Sequence, residues 1–124
     1  MSINKLVKEI HENNEKAGWW KDPETDLPLK HHSMFPYVVA TKLLLVGTEI
    51  SEATEGYRKN LMDDKLPHRQ MVEVELADAV IRIFDLAGAL DLDLEGAIKE
   101  KRSFNAVRKD HKTSERVKKN GKKF

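Results

Sequence analysis

Two short acid pairs, Glu49-Ile-Ser-Glu52 and Glu75-Leu-Ala-Asp78, sit inside apolar stretches of helical period, and they constrain this chain more than any other feature. Val39, Leu43, Val46, Ile50, Ala53 and Tyr57 recur at i, i+3, i+4 spacing around the first pair. Val72, Leu76, Ala79, Val80, Ile83 and Ala87 do the same around the second. Residues three apart share one face of a helix, so each pair presents two carboxylates side by side. At about 100° per residue both pairs fall on the same flank of their apolar stripe. Two such helices packed antiparallel through their stripes would bring four carboxylates to one edge of the contact. Four like charges there must either take up protons or hold a cation. A hard divalent ion such as Mg²⁺, which prefers oxygen ligands and keeps waters, is the cation expected. The bland alternative is a pair of solvated acid strips neutralised by Lys42 and Arg82.

The rest of the chain reads as support for these two helices. Ile3, Leu6, Val7, Ile10 and Ala17 predict an amphipathic helix over 2–17, capped by Ser2 and ended by Gly18. Trp19-Trp20 opens a long connection to Phe35 containing Asp22, Pro23, Thr25, Asp26 and Pro28, which is turn chemistry. The second helix is expected over 36–59, with Pro36 in its first turn and Ser33 as an upstream cap. A loop over 60–70 carries Asp63-Asp64 and Pro67. The third helix spans 71–89, and Asp91 or Asp93 caps a fourth over 93–110, along which Leu94, Ala97, Ile98, Lys101 and Asn105 align. The fold class is therefore all-α, with a four-helix bundle-like core in one domain over 1–111 and a basic, flexible tail over 112–124. Aromatics at 6% and charged residues at 35% suit helices better than sheets.

Charge is unevenly distributed. Net charge is +1, yet residues 108–124 hold eight Lys and Arg against Asp110 and Glu115, which leaves 1–107 at −5. The absence of cysteine excludes disulfides and thiolate metal sites and fits a reducing compartment. No apolar run approaches the roughly 20 residues that span a bilayer, and Met1–Ile10 has no secretory apolar core. The expected location is the cytoplasm, without membrane partners. His11, His31, His32, His68 and His111 show no metal-ligand spacing. His31-His32 could touch a substrate from the loop or simply lie on the surface. Neither a Gly-rich phosphate loop nor a Ser-His-Asp arrangement is present.

Glu-x-x-Glu on one helix and Glu-x-x-Asp on the next resembles the MazG-like all-α nucleoside triphosphate pyrophosphohydrolases. The resemblance covers about Val38 to Arg108. It includes the Leu43-Leu44-Leu45-Val46-Gly47-Thr48-Glu49 run, the Glu75-Leu76-Ala77-Asp78-Ala79-Val80 segment and Lys101-x-x-x-Asn105-x-x-Arg108. It implies that Glu49, Glu52, Glu75 and Asp78 bind Mg²⁺, with Mn²⁺ as a possible substitute. It also implies that a (deoxy)nucleoside triphosphate is split into the monophosphate and pyrophosphate. Lys101 and Asn105 would face the nucleotide, Lys101 toward phosphate. Glu52 is the carboxylate expected to act as catalytic base. Many members carry two consecutive acids where this chain has Thr48-Glu49, which resembles the subgroup of dCTP pyrophosphatase-like enzymes and leaves the ion count open. Trp19 and Trp20 stand where some relatives place aromatics near the base, and core anchoring is the alternative for them. Relatives of this kind are homodimers or homotetramers. Competing readings are a phosphoribosyl-ATP pyrophosphatase-type hydrolase, a non-catalytic helical adaptor, and a protein that binds nucleic acid through its basic tail. The tail has no aromatics interleaved for base stacking, which argues against nucleic acid.

Overall fold

The computed structural model describes residues 2–124. They form five α-helices: α1 (Ile3–Lys16), α2 (Phe35–Arg58), α3 (Met71–Ala89), α4 (Leu94–Val107) and α5 (Thr113–Arg116). Short 3₁₀ turns lie at Leu29–His31 and Lys109–His111. Among the described residues there is no strand, only isolated bridges between Lys21 and Pro28 and between Met62 and Gln70. The chain divides into two compact units, Met1–Leu92 and Asp93–Phe124. Three of the four expected long helices build the first unit, and α4 belongs to the second.

In the first unit α2 lies along α3, and α1 packs on α3. The Ser2 side chain accepts a hydrogen bond from the Lys5 backbone N–H, as an N-cap should, and Gly18 takes the left-handed conformation (φ 88°) just past the helix end. Ser33 does not cap α2. Met34 takes that position without a side-chain bond, and Pro36 in the first turn removes one N–H that would otherwise need a partner. A Cβ at Gly56 would lie 2.7 Å from Met71 Cγ, and one at Gly88 would lie 2.5 Å from His11 Cβ. These two glycines let the helices approach one another at either end of α3.

The buried line of α2 keeps Ala53 of the expected stripe, with Val39 and Val46 half-buried, but is turned away from its other members. It runs through Glu49, Ala53 and Gly56, facing Glu75 and Ala79 of α3. Leu43, Ile50 and Tyr57, assigned to the buried stripe from the sequence, are 58%, 47% and 77% exposed. On α3 the expected Ala79 and Ala87 are buried, while Leu76, Val80 and Ile83 are all at least 40% exposed. The α2 sequence is apolar around most of its circumference, so periodicity identified a helix but could not choose which face turns inward. The choice made here moves Glu49 from the flank into the helix contact.

The connection after Gly18 is ordered by its own backbone. Asp22 N–H donates to Leu27 carbonyl at 2.9 Å, and Leu29 N–H donates to Trp20 carbonyl at 2.9 Å, which closes a tight turn with Asp26 at positive φ. Trp20 is thereby pinned in the core with Leu86 and Ala89, and Phe35, Val38, Val39 and Leu90 pack around them.

The second unit is smaller. Asp93 caps α4 through the Gly96 N–H at 3.0 Å. In the basic segment Asp110 pairs with Arg108 at 2.7 Å and Lys122 at 2.9 Å, and Glu115 pairs with Lys118 at 3.0 Å and, more loosely, Lys109 at 3.7 Å. Arg116 donates to the carbonyls of Lys122 and Lys123. The two acids of the segment therefore hold a good part of its positive charge internally. Among the described residues, no helix is long and apolar enough to cross a membrane.

Candidate metal centre

Glu49 reaches the α2–α3 contact because its helix turns that line inward, and Glu75 meets it from α3. Glu52, one turn along α2, completes the group. The three side chains offer oxygens that all lie within 4.8 Å of one another, with Glu49 and Glu75 buried and Glu52 exposed. Asp78, one turn after Glu75, is half-buried and stands beside this trio rather than within it. Sequence reasoning put four acids at one edge, and the fold brings three of them into a single cluster.

Crowded carboxylates in a partly dry contact cannot all ionise. Burial raises Glu75 most, and contacts and like charge from Glu49 and Glu52 add to it, so that its carboxyl is pushed up to about 8. Burial likewise raises Asp78, with the negative charge of Glu49 next and Asp63 behind it. Glu49 goes the other way. Burial pushes its carboxyl up, but the hydrogen bond of Arg82, the contact with Glu75, the charge of Arg82 and the contact with Glu52 together outweigh that, and the net shift is down. Arg82 Nε donates to Glu49 Oε1 at 2.6 Å. Glu75 Oε2, on a side chain of a residue only 9% exposed, has no hydrogen-bond partner. A buried carboxyl oxygen without a partner costs about 1–3 kcal/mol, more when charged. A carboxyl with such an oxygen, on a side chain clustered with two further carboxylates, belongs to the donor set that a hard divalent cation takes.

A cleft of about 480 Å³ adjoins the cluster. Glu49, Asp78 and Asp85 line it with carboxylates, Lys42 and Arg82 stand on the same two helices, and Asn14 and Trp19 join from α1 and the connection after it. Trp19 is 66% exposed, which leaves its indole face available to a planar ligand. Trp20 is 5% exposed and serves as an anchor. Its Nε1 donates to Asp85 Oδ1 at 2.9 Å, and His11 Nδ1 is 2.8 Å from the same oxygen. Lys42 Nζ sits 4.5 Å above the Trp20 ring. Burial lowers the Lys42 ammonium, against the pull of Asp85.

Lys101 and Asn105 lie on α4, in the second unit. Lys101 is exposed, with its Nζ 4.8 Å from the Phe104 ring centre, and Asn105 Oδ1 is buried without a hydrogen-bond partner.

Asp85 and Asp63 were not singled out in the sequence. Asp85 joins His11 and Trp20 across 74 and 65 residues, a link that no local period announces. Asp63 is buried, and its Oδ2 accepts from the Lys65 and Leu66 N–H groups, closing the loop ahead of α3. The Asp63-Asp64 pair in a turn was its only signal. In comparisons with known proteins, no family model, curated protein or solved structure matches this chain.

Proposed function

We propose that this chain is a Mg²⁺-dependent hydrolase of (deoxy)nucleoside triphosphates, releasing the monophosphate and pyrophosphate, the activity of the MazG-like family that its sequence resembles. The observation that carries the proposal is the partnerless, buried oxygen of Glu75, whose side chain clusters with Glu49 and Glu52, next to a cleft lined by Lys42, Arg82, the exposed Trp19 and the carboxylates of Glu49, Asp78 and Asp85. Glu49, Glu52 and Glu75 would hold the ion, with Asp78 beside them. A bound Mg²⁺ supplies charge neutralisation of the triphosphate and a water of lowered pKa.

The chain's own groups do the rest. Glu52 is the exposed member of the cluster, and an exposed carboxylate can take the proton of a water attacking the α-phosphorus. Lys42 brings positive charge to the cleft, and Trp19 offers a stacking face for a base. Lys101 and Asn105 enter as phosphate and nucleotide contacts on the strength of the resemblance. The test is pyrophosphate release across the eight common nucleoside triphosphates with Mg²⁺ or Mn²⁺. Release from at least one is expected, and release from none rules the reading out. Including phosphoribosyl-ATP in the panel separates the related hydrolase class.

The bare apolar face belongs to the same proposal. Leu43, Ile50 and Tyr57 recur every seven residues along α2, and Leu76 and Ile83 repeat that interval on α3 with Val80 between them. Such a seam is what a second helix pair packs against, and a second copy of the chain is the occupant we propose. Ile50→Lys is then expected to convert a dimer or tetramer into a monomer by light scattering. A wild-type chain that is monomeric at high concentration would refute this.

A further inference from the structure

Arg82 belongs to the acid cluster and to the cleft at once. It lies one turn beyond Asp78 on α3, donates to Glu49 at 2.6 Å, and keeps 40% of its side chain exposed along the cleft. Glu49 is only 8% exposed, so its negative charge needs a partner, and Arg82 supplies one. A carboxylate oxygen engaged by a guanidinium offers less to a metal ion, and two cations at one carboxylate repel each other.

We propose that Arg82 is a built-in stand-in for the metal: it neutralises Glu49 until a divalent cation arrives, is displaced by that cation, and then binds the phosphates of the ligand in the cleft. The idea rests on the metal-site reading above. The fate of the displaced guanidinium follows from what faces it. Asp78 and Asp85 line the cleft with it, as does Lys42, whose ammonium is drawn by Asp85 and opposed by the charge of Arg82. An anion between the two cations relieves that opposition, and the planar fork of arginine suits a phosphate.

The exchange gives effects of opposite sign. In the full chain, Arg82→Met is expected to bind Mn²⁺ alone about fivefold more tightly than wild type, because the competitor is gone. With Mn²⁺ saturating, the same variant should bind inorganic pyrophosphate about tenfold more weakly. Arg82→Lys keeps the charge without the fork and should fall between wild type and Arg82→Met in both titrations, and it carries the test should the methionine variant fail to fold. A purely structural Arg82 would weaken both ligands together. Mn²⁺ affinity that is unchanged or weakened in the variants overturns the stand-in while leaving the metal site intact. Pyrophosphate affinity that does not fall overturns the release into the cleft. Absence of Mn²⁺ binding by wild type removes the metal site and the stand-in together.

Discussion

Glu75→Gln is expected to reduce pyrophosphate release by at least about a hundredfold while the metal-free protein melts at the same temperature as wild type or higher at pH 8. The two halves have one cause. Burial, with Glu49 and Glu52 alongside, pushes the Glu75 carboxyl up to about 8, so the metal-free fold accommodates a neutral side chain at this position near neutral pH. Glutamine has nearly the same shape and is always neutral, so it suits the empty contact. It cannot supply the anionic oxygen that a divalent ion requires. A residue that costs stability in the free protein and is indispensable in the loaded one is the pattern of a site kept for function. An activity assay and a melt in chelator, run on the same preparation, check it. A Glu75→Gln variant with full activity would show that the acid cluster does not carry the chemistry.

The second large effect is a pH dependence that changes with metal. Glu75 titrates near 4.5 in an unfolded chain and near 8 in the fold. Between those values the folded chain retains a proton that the unfolded chain has released. Its contribution is therefore fully present below about pH 4.5 and is lost as pH rises toward 8. The lowered carboxyl of Glu49 contributes in the opposite sense, but only in the acid range, where stability is lost as pH falls. In chelator, the melting temperature should thus decline from pH 5 to pH 8. Mg²⁺ competes with the retained proton, so its binding strengthens over the same interval. At about a hundred times its dissociation constant it adds about 2.7 kcal/mol, a rise on the order of 10 °C, largest at pH 8. Glu75→Gln should reduce the decline in chelator to the part left by the raised Asp78 carboxyl, and remove the Mg²⁺ effect. Parallel wild-type curves with and without Mg²⁺ would contradict the assignment.

These expectations depend on a rotation of α2 that its sequence did not reveal. Ser2, Ile3, Leu6, Val7 and Gly18 specified α1 nearly to its ends, because cap, stripe and stop agree there. The existence and length of α2 and α3 were equally plain. The inward face was not, since Leu43, Leu44, Ile50 and Tyr57 compete with Val39, Leu45, Val46 and Ala53 for the core. The small residues Ala53, Gly56 and Ala79 decide the matter by allowing close approach, and their line carries Glu49 and Glu75 inward together. Arg82 was legible as a partner for the acids. Its single bond to Glu49 from the cleft wall was not, because that depends on the pairing of two helices. The Trp20–Asp85–His11 junction was hidden for the same reason. Its members are separated by most of the first unit, and only the closed loop brings the indole to α3.

The most direct measurement is a crystal of the chain soaked in Mn²⁺ and read by anomalous scattering. A peak bounded by the carboxylates of Glu49, Glu52 and Glu75, with the Arg82 guanidinium withdrawn from Glu49, is the predicted result. Arg82 still bonded to Glu49 and no anomalous peak among the three acids would contradict it.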